Sequence, residues 1–258
     1  MKYKAILADL DGTLYRGSVL IPGADVIYRK MTDSGISWLF LSNNATTLAE
    51  DLAAKITNMG LPVSSNHVIT SASAVVREIE KNFVGAPIMV IGSQRLTWGL
   101  ELAGANITHN HSAAQVVVVA LDREFTYEKM KRAHKAIQRG ATFWATNMYP
   151  TYPEADGMSP GAGSVVSSIA TAAGKKPDRV FGKPSTDMAH IAMKRLGIGP
   201  EDCLVVGDRM DTDIEFAIKA GMASALVLTG ATSREEITRY AFSPTHIIDS
   251  IAMLENLF

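Results

Sequence analysis

Short apolar runs alternate with longer stretches of helical periodicity from one end of the chain to the other, and this alternation narrows the fold more than any other feature. Strands are read at residues 5–9, 38–41, 67–70, 88–91, 116–121, 142–146, 203–206, 225–228 and 246–248. Helices are read at residues 24–32, 48–59, 71–81, 127–139, 164–173, 186–196 and 212–220. Gly35, Gly60, Gly140, Gly174, Gly197 and Gly221 each follow a helical stretch, the position that a left-handed C-terminal cap favours. Strands that are apolar at nearly every position must be covered on both faces. The chain is therefore expected to be an α/β protein, a Rossmann-like doubly wound parallel sheet with helices on both faces. Its 258 residues leave room for a smaller companion to that core.

Three of the strands end in polar clusters: Asp9-Leu10-Asp11, Ser42-Asn43-Asn44 and Gly207-Asp208. Open α/β sheets bind ligands beyond the carboxyl ends of their strands, so these groups are expected around one point. Past the strand end the chain can turn, letting Asp9 and Asp11 converge, with Gly12 suited to the turn and Thr13 able to cap the next segment. Two close carboxylates repel unless a cation neutralises them. Such a pair can divide the work, one attacking as nucleophile while the other donates a proton to a leaving group. On its own, the segment reads equally as a solvated Asp-Gly turn.

Gly207-Asp208-Arg209-Met210-Asp211-Thr212-Asp213 repeats the pattern after another buried strand. Hard oxygen ligands in a compact site suit Mg²⁺, which binds them at about 2.0–2.1 Å. The same acids also stabilise the first turn of a helix beginning near Thr212, and both roles are expected. Asp208 is assigned to the metal, and Asp213 to the loop or the metal's waters. Ser42 and Asn43 offer neutral donors suited to phosphate oxygens, or else N-caps for the next helix. Lys183, in Phe181-Gly182-Lys183-Pro184, is either a counter-charge to phosphate or a solvated lysine in a loop.

Composition closes off other classes of function. Lys and Arg number 25 against 26 Asp and Glu, with no basic run for a nucleic acid polymer and no basic amphipathic helix for a membrane surface. No apolar segment approaches the roughly 20 residues needed to cross a bilayer. The single cysteine, Cys203, precludes an intramolecular disulfide, and a cytoplasmic location is expected by default. His109-Asn110-His111 reads as a polar loop without the clustered partners of a metal site. Gly161-Ala162-Gly163-Ser164 lacks dinucleotide-binding spacing, and Ser164 is read as a helix N-cap instead. Residues 147–163, rich in Pro and Gly, form an unusually long connection.

Taken together, the sequence resembles the haloacid dehalogenase superfamily of phosphatases, in its NagD-like or p-nitrophenyl-phosphatase-like branch. The four motifs stand in family order: Asp9-Leu10-Asp11-Gly12-Thr13, Leu41-Ser42-Asn43-Asn44, Gly182-Lys183-Pro184 and the segment Gly207 to Asp213. Pro22-Gly23, Leu228-Thr229-Gly230 and Pro160-Gly161-Ala162-Gly163-Ser164 also match this branch. The resemblance implies a phosphatase in which Asp9 attacks phosphorus, while Asp11 protonates the departing alcohol and then activates water. It implies Mg²⁺ held by Asp9, Asp208 and the backbone carbonyl of Asp11. Ser42, Asn43 and Lys183 would bind the transferring phosphoryl group, with Asn44 and Tyr152 also on the substrate and Asp213, Thr13 and Gly207 in support.

The resemblance also implies an inserted α/β cap that sets substrate specificity, over residues 81–179, with core segments 1–80 and 180–258. Relatives commonly carry Thr-Asn-Pro-Asp where this chain has Thr146-Asn147-Met148-Tyr149, and Tyr152 stands where some place a substrate-contacting histidine. The partner is then a small-molecule phosphate ester: a nucleoside monophosphate, a sugar phosphate or phosphoglycolate. A non-catalytic phosphometabolite sensor, a phosphomutase and a carbon dehalogenase are the rival readings. Association of relatives through their caps leaves a homo-oligomer open.

Overall fold

The structure, a computed structural model, describes residues 2–154 and 157–258. The chain divides into two compact units, Met1–Ser42 with Ala49–Ile69 and Lys183–Phe258, and Asn43–Leu48 with Thr70–Gly182.

The first unit opens with β1 (Ala5–Asp9) and a short hairpin of β2 (Tyr15–Arg16) and β3 (Val19–Leu20). There follow α1 (Ala24–Asp33), β4 (Ser37–Ser42), α2 (Ala49–Asn58) and β5 (Val68–Thr70). The second unit runs through α3 (Ser71–Asn82), β6 (Pro87–Ile91), α4 (Gln94–Leu102), β7 (Asn106–Ile107) and β8 (Val116–Val119). It continues with α5 (Tyr127–Gln138), β9 (Thr142–Ala145), a hairpin of β10 (Thr151–Glu154) and β11 (Gly157–Pro160), α6 (Ala162–Ala173) and β12 (Arg179–Val180). The chain then returns to the first unit as α7 (Asp187–Leu196), β13 (Cys203–Gly207), α8 (Glu215–Lys219), β14 (Ala223–Val227) and β15 (His246–Ile248).

The first unit's six-stranded sheet has the order β15-β14-β13-β1-β4-β5. β1 pairs in parallel with β4 on one side and β13 on the other, so it lies where the strand order reverses direction. Crossover connections at such a point part to opposite faces and leave a crevice beyond the strand ends. Ala5 to Ala8 are fully buried because both faces of β1 are covered. On one face, α1 turns in Ala24, Ile27, Tyr28 and Met31, an i, i+3, i+4, i+7 stripe. Tyr28 packs on Trp38 and Phe40 of β4 with ring centroids 5.4 and 6.2 Å away, and each such aromatic ring buries enough apolar surface to stabilise the fold by about 1.5–3 kcal/mol. The thiol of Cys203 is buried at the start of β13, and burial pushes it up to about 11, in keeping with an inert core residue.

The second unit has its own sheet, in the order β12-β9-β8-β6-β7. β8 is a run of four fully buried valines, and Val117 and Val119 meet Phe143 of β9 and Ile137, Val166 and Ile169 of α5 and α6 in one cluster.

The six post-helical glycines all take positive φ, from 63° at Gly174 to 101° at Gly140. Other expectations change in detail. α6 begins at Ala162 with Gly161 as its N-cap, so Ser164 does not cap it; its hydroxyl instead donates to the Pro150 carbonyl at 2.6 Å. The helix read from residue 212 is a π-helical turn, Met210–Ile214, followed by the short α8. α4 carries no clear apolar period and has a glycine inside it, Gly99, against which Leu48 packs: a Cβ there would lie 3.2 Å from Leu48 Cδ2. Within the second unit α3 packs on α4, and its Glu78 pairs with Arg179 of β12 at 2.9 Å. Among the described residues no helix is long and apolar enough to cross a membrane.

Candidate active site

β1 delivers Asp9 at its last position and β13 delivers Gly207 at its own, with Asp208 one residue beyond. The parallel register that sets Ala8 opposite Val206 brings these two ends to the same level. The π-helical turn then folds Asp213 back beneath them. Only glycine at 207 permits that approach, since a Cβ there would lie 2.5 Å from Asp213 Oδ2. As a result, ligand oxygens of Asp9, Asp208 and Asp213 all lie within 4.8 Å of one another.

Lys183, 2% exposed, reaches this cluster at the first unit's resumption. Its Nζ donates to Asp9 Oδ1 at 2.5 Å, to Asp213 Oδ1 at 2.6 Å and to the Leu41 carbonyl at 3.3 Å. The far side of Asp213 accepts from the Arg209 backbone N–H at 3.1 Å, and Asp208 Oδ2 accepts from that of Ala231 at 2.6 Å. Charge does not balance. Three carboxylates face one ammonium, which leaves a surplus of two negative charges when all are ionised.

The electrostatics record that surplus. Burial first, and the neighbouring Asp213 second, push Asp208 up to about 6, against the opposing pull of the Ala231 N–H and Lys183. Burial likewise holds Asp9 well above the ordinary carboxylate range; Lys183 counters it, while Asp213 and Asp208 add to it. A divalent cation with oxygen preference fits this set: it matches the missing charge, and every donor is a carboxylate oxygen.

The other sequence-predicted residues fall in different places. Asp11 is exposed, and Gly12 beside it turns with φ 84°. Thr13 caps nothing: its hydroxyl is buried and has no partner among the described residues. Ser42 is the half-buried last residue of β4, next to the carbonyl that receives Lys183. Asn43 and Asn44 belong to the second unit. The Asn43 carbonyl accepts from Ser71 Oγ at 2.9 Å and Asn147 Nδ2 at 2.8 Å. Asn44 Oδ1 closes a local turn on the Thr46 N–H at 2.8 Å and hydroxyl at 2.7 Å.

In the second unit Tyr152 lies on β10, and its hydroxyl accepts from Arg123 Nε at 3.2 Å and Nη2 at 3.0 Å. No motif marks Arg123; only the tertiary fold joins it to a tyrosine in another segment. Tyr149 turns its backbone N–H onto Asn147 Oδ1 at 3.1 Å. Tyr15, also unmarked in the sequence, is buried beside Asp9 and Asp11, and burial with those two charges holds its phenol well above the usual range.

Comparison with known proteins gives the chain a family. The haloacid dehalogenase-like hydrolase family matches residues 6–106, and a HAD-hydrolase-like family matches residues 180–254. The chain is 37% identical over 250 residues to the 5'-nucleotidase YutF of Bacillus subtilis, covering 96% of both chains. The chain belongs to the haloacid dehalogenase-like hydrolases. Within them it is a NagD-like phosphatase, a phosphoric monoester hydrolase. The 4-nitrophenylphosphatase of Thermotoga maritima superposes on this hydrolase with a TM-score of 0.94 at 30% identity, over 99% of this chain and 97% of that one. NagD of E. coli does so with 0.90 at 30% identity, over 98% of both. The glycerol phosphate phosphatase Rv1692 of Mycobacterium tuberculosis, solved in complex with magnesium, gives 0.88 at 32% identity, over 96% of this chain and 76% of that one.

Proposed function

We propose that this hydrolase cleaves small-molecule phosphate monoesters through an aspartyl-phosphate on Asp9, with Mg²⁺ as cofactor. The observation that carries the reading is the half-buried Asp9 gripped by Lys183 inside a carboxylate cluster with two negative charges to spare.

Asp9, fixed by Lys183, attacks phosphorus; the bond from phosphorus to the ester oxygen breaks, and Asp11 delivers a proton to that oxygen. Water then attacks the aspartyl-phosphate, Asp11 accepts its proton, and phosphate leaves with Asp9 regenerated. Lys183 and Ser42 hold the phosphoryl oxygens, Asn43 is assigned to the same group, and Lys183 draws the nucleophile toward its ionised form against the effect of burial. Asp9, Asp208 and the Asp11 carbonyl would hold Mg²⁺, which would supply charge neutralisation to a reaction that needs alignment and electrostatics more than bond-making groups. The second unit, inserted between the serine and lysine motifs, acts as the cap that selects the organic part of the ester, with Tyr152 on that part. The chain's one cysteine, buried in the core, asks for no oxidising compartment, which supports a cytoplasmic setting.

Named activities among the relatives, on nucleotides, nitrophenyl phosphate and glycerol phosphate, support a monoester and spread over several leaving groups. The test is phosphate release from nucleoside monophosphates, sugar phosphates, phosphoglycolate and p-nitrophenyl phosphate, with Mg²⁺ and with excess chelator. Release that stops in chelator, is not restored by Ca²⁺ and is absent from Asp9→Asn is the expected result. Turnover by folded Asp9→Asn would refute the nucleophile, and full activity in chelator would remove the metal.

A further inference from the structure

We infer that Thr229 is a positioning residue for Asp11, locking the turn that aims the general acid; the inference rests on the acid role proposed above. Asp11 is exposed, so packing does not hold its side chain and the backbone that carries it is the part the fold can fix. The next joint is Gly12, at φ 84°, where the chain is least restricted. Both peptide groups that flank this joint are tied. The Gly12 N–H donates to the Tyr15 carbonyl at 2.8 Å, and the Gly12 carbonyl accepts from Thr229 Oγ1 at 2.6 Å. The second tie comes from far along the chain, and among the described residues the hydroxyl of Thr229 supplies it.

Thr229 is itself held. Arg16, on β2, donates to its carbonyl through Nε at 2.9 Å and through Nη2. Two residues on, the Ala231 N–H is bonded to Asp208 Oδ2 at 2.6 Å, and Thr232 N–H to the Asp208 carbonyl at 3.1 Å. The turn also rests directly on this support: a Cβ on Gly12 would lie 2.7 Å from Asp208 Oδ2 and 3.1 Å from Gly230 Cα. Residues 229–231 therefore form one jig. Its first residue sets the acid's turn, and its last sets a carboxylate of the buried cluster. A misplacement of reacting groups by about 1 Å can cost about 100-fold in rate, which is the scale at which such a tie matters.

The test compares kcat/KM for glycerol phosphate, whose alkoxide needs a proton to leave, with p-nitrophenyl phosphate, whose leaving group does not. This ratio ends at leaving-group departure and so isolates the acid step. Thr229→Val keeps the shape and removes the donor. It is expected to lower kcat/KM for glycerol phosphate by about 10- to 100-fold and for p-nitrophenyl phosphate by about threefold or less. Thr229→Ser should restore the alkyl ester. Placed in Asp11→Asn, Thr229→Val should add little, because the group it aims is already gone. Arg16→Gln, outside the reacting groups, should show the same bias more weakly and serves if Thr229→Val does not fold. Equal losses on both esters, or full additivity with Asp11→Asn, would overturn the inference while leaving the acid in place. If Asp11→Asn alone treats the two esters alike, the acid role falls and this inference falls with it.

Discussion

Oδ1 of Asp213 lies 2.6 Å from Nζ of Lys183, and their side chains are 2% and 1% exposed. A pair this dry is costly to break from one side, because the remaining charge has neither water nor a partner. Lys183→Met would strand Asp213 and Asp9 together. Unfolding in urea with chelator present should show a loss of about 3–5 kcal/mol, and turnover should vanish. An unchanged midpoint would mean that the lysine does not neutralise the cluster.

The raised carboxylates fix a sign for the pH dependence. Asp208 sits at about 6 against an ordinary 3.8, and Asp9 moves in the same direction, so the metal-free folded state binds protons that the unfolded chain has already released. Their stabilising contribution is thus present at low pH and is lost as pH rises through about 6. In chelator, Asp208→Asn should gain on the wild type between about pH 4 and pH 7. Mg²⁺ should act in the opposite sense, raising the wild-type melting temperature more at about pH 8 than at about pH 5, since ligands bind it deprotonated. Scanning fluorimetry across pH measures both; a Mg²⁺ shift independent of pH would contradict the assignment of Asp208 to the metal.

Gly230 leaves the carboxylate of Asp208 no room to spare. A Cβ on Gly230 would be driven into Asp208, whose Oδ2 already takes the neighbouring Ala231 N–H. Gly230→Ala should therefore raise the Mg²⁺ concentration needed for half-maximal activity, and for half of the metal-induced thermal shift, by about 10- to 100-fold. A variant with the wild-type metal requirement would show that Asp208 is not a ligand.

Arg123 and Tyr152 offer the second unit a cation and a phenol held together at 3.0 Å. Should this pair read the organic part of the ester, Arg123→Ala would lower kcat/KM about tenfold for esters with an anionic leaving group, such as phosphoglycolate. p-Nitrophenyl phosphate should change by no more than about twofold. Parallel losses on both would point to a role in folding of the second unit instead.

How much of this was legible in the sequence depends on the physics of each part. Strands such as Cys203–Gly207 are buried on both faces and so announce themselves as unbroken apolar runs. Asp9, Asp208 and Lys183 stand out in the sequence because they lie at the ends of such runs or beside glycine and proline. The sequence assigns Asp213 to its loop or to the metal's waters; that it faces Asp9 and Asp208 depends on a π-helical turn and on the missing Cβ of Gly207, neither of which has a period. α4 carries no legible period because Gly99 interrupts its pattern and Trp98 and Leu102 face outward. The bonds from Arg123 to Tyr152 and from Thr229 to Gly12 join distant segments, and one sequence carries no trace of such meetings.

The pairing of Ala8 with Val206 makes the sheet a gauge for the chemistry. A strand advances about 3.3 Å per residue, close to the whole distance across which reacting atoms must meet. One residue added inside β1 or β13 would carry Asp9 and Asp208 apart by that step and turn the rest of the strand to the wrong face. Descendants of this chain can lengthen helices and loops, and exchange the stretch from Thr70 to Gly182 that belongs to the second unit, with the carboxylates unmoved. The count of residues along these two strands is a dimension in which they have no latitude.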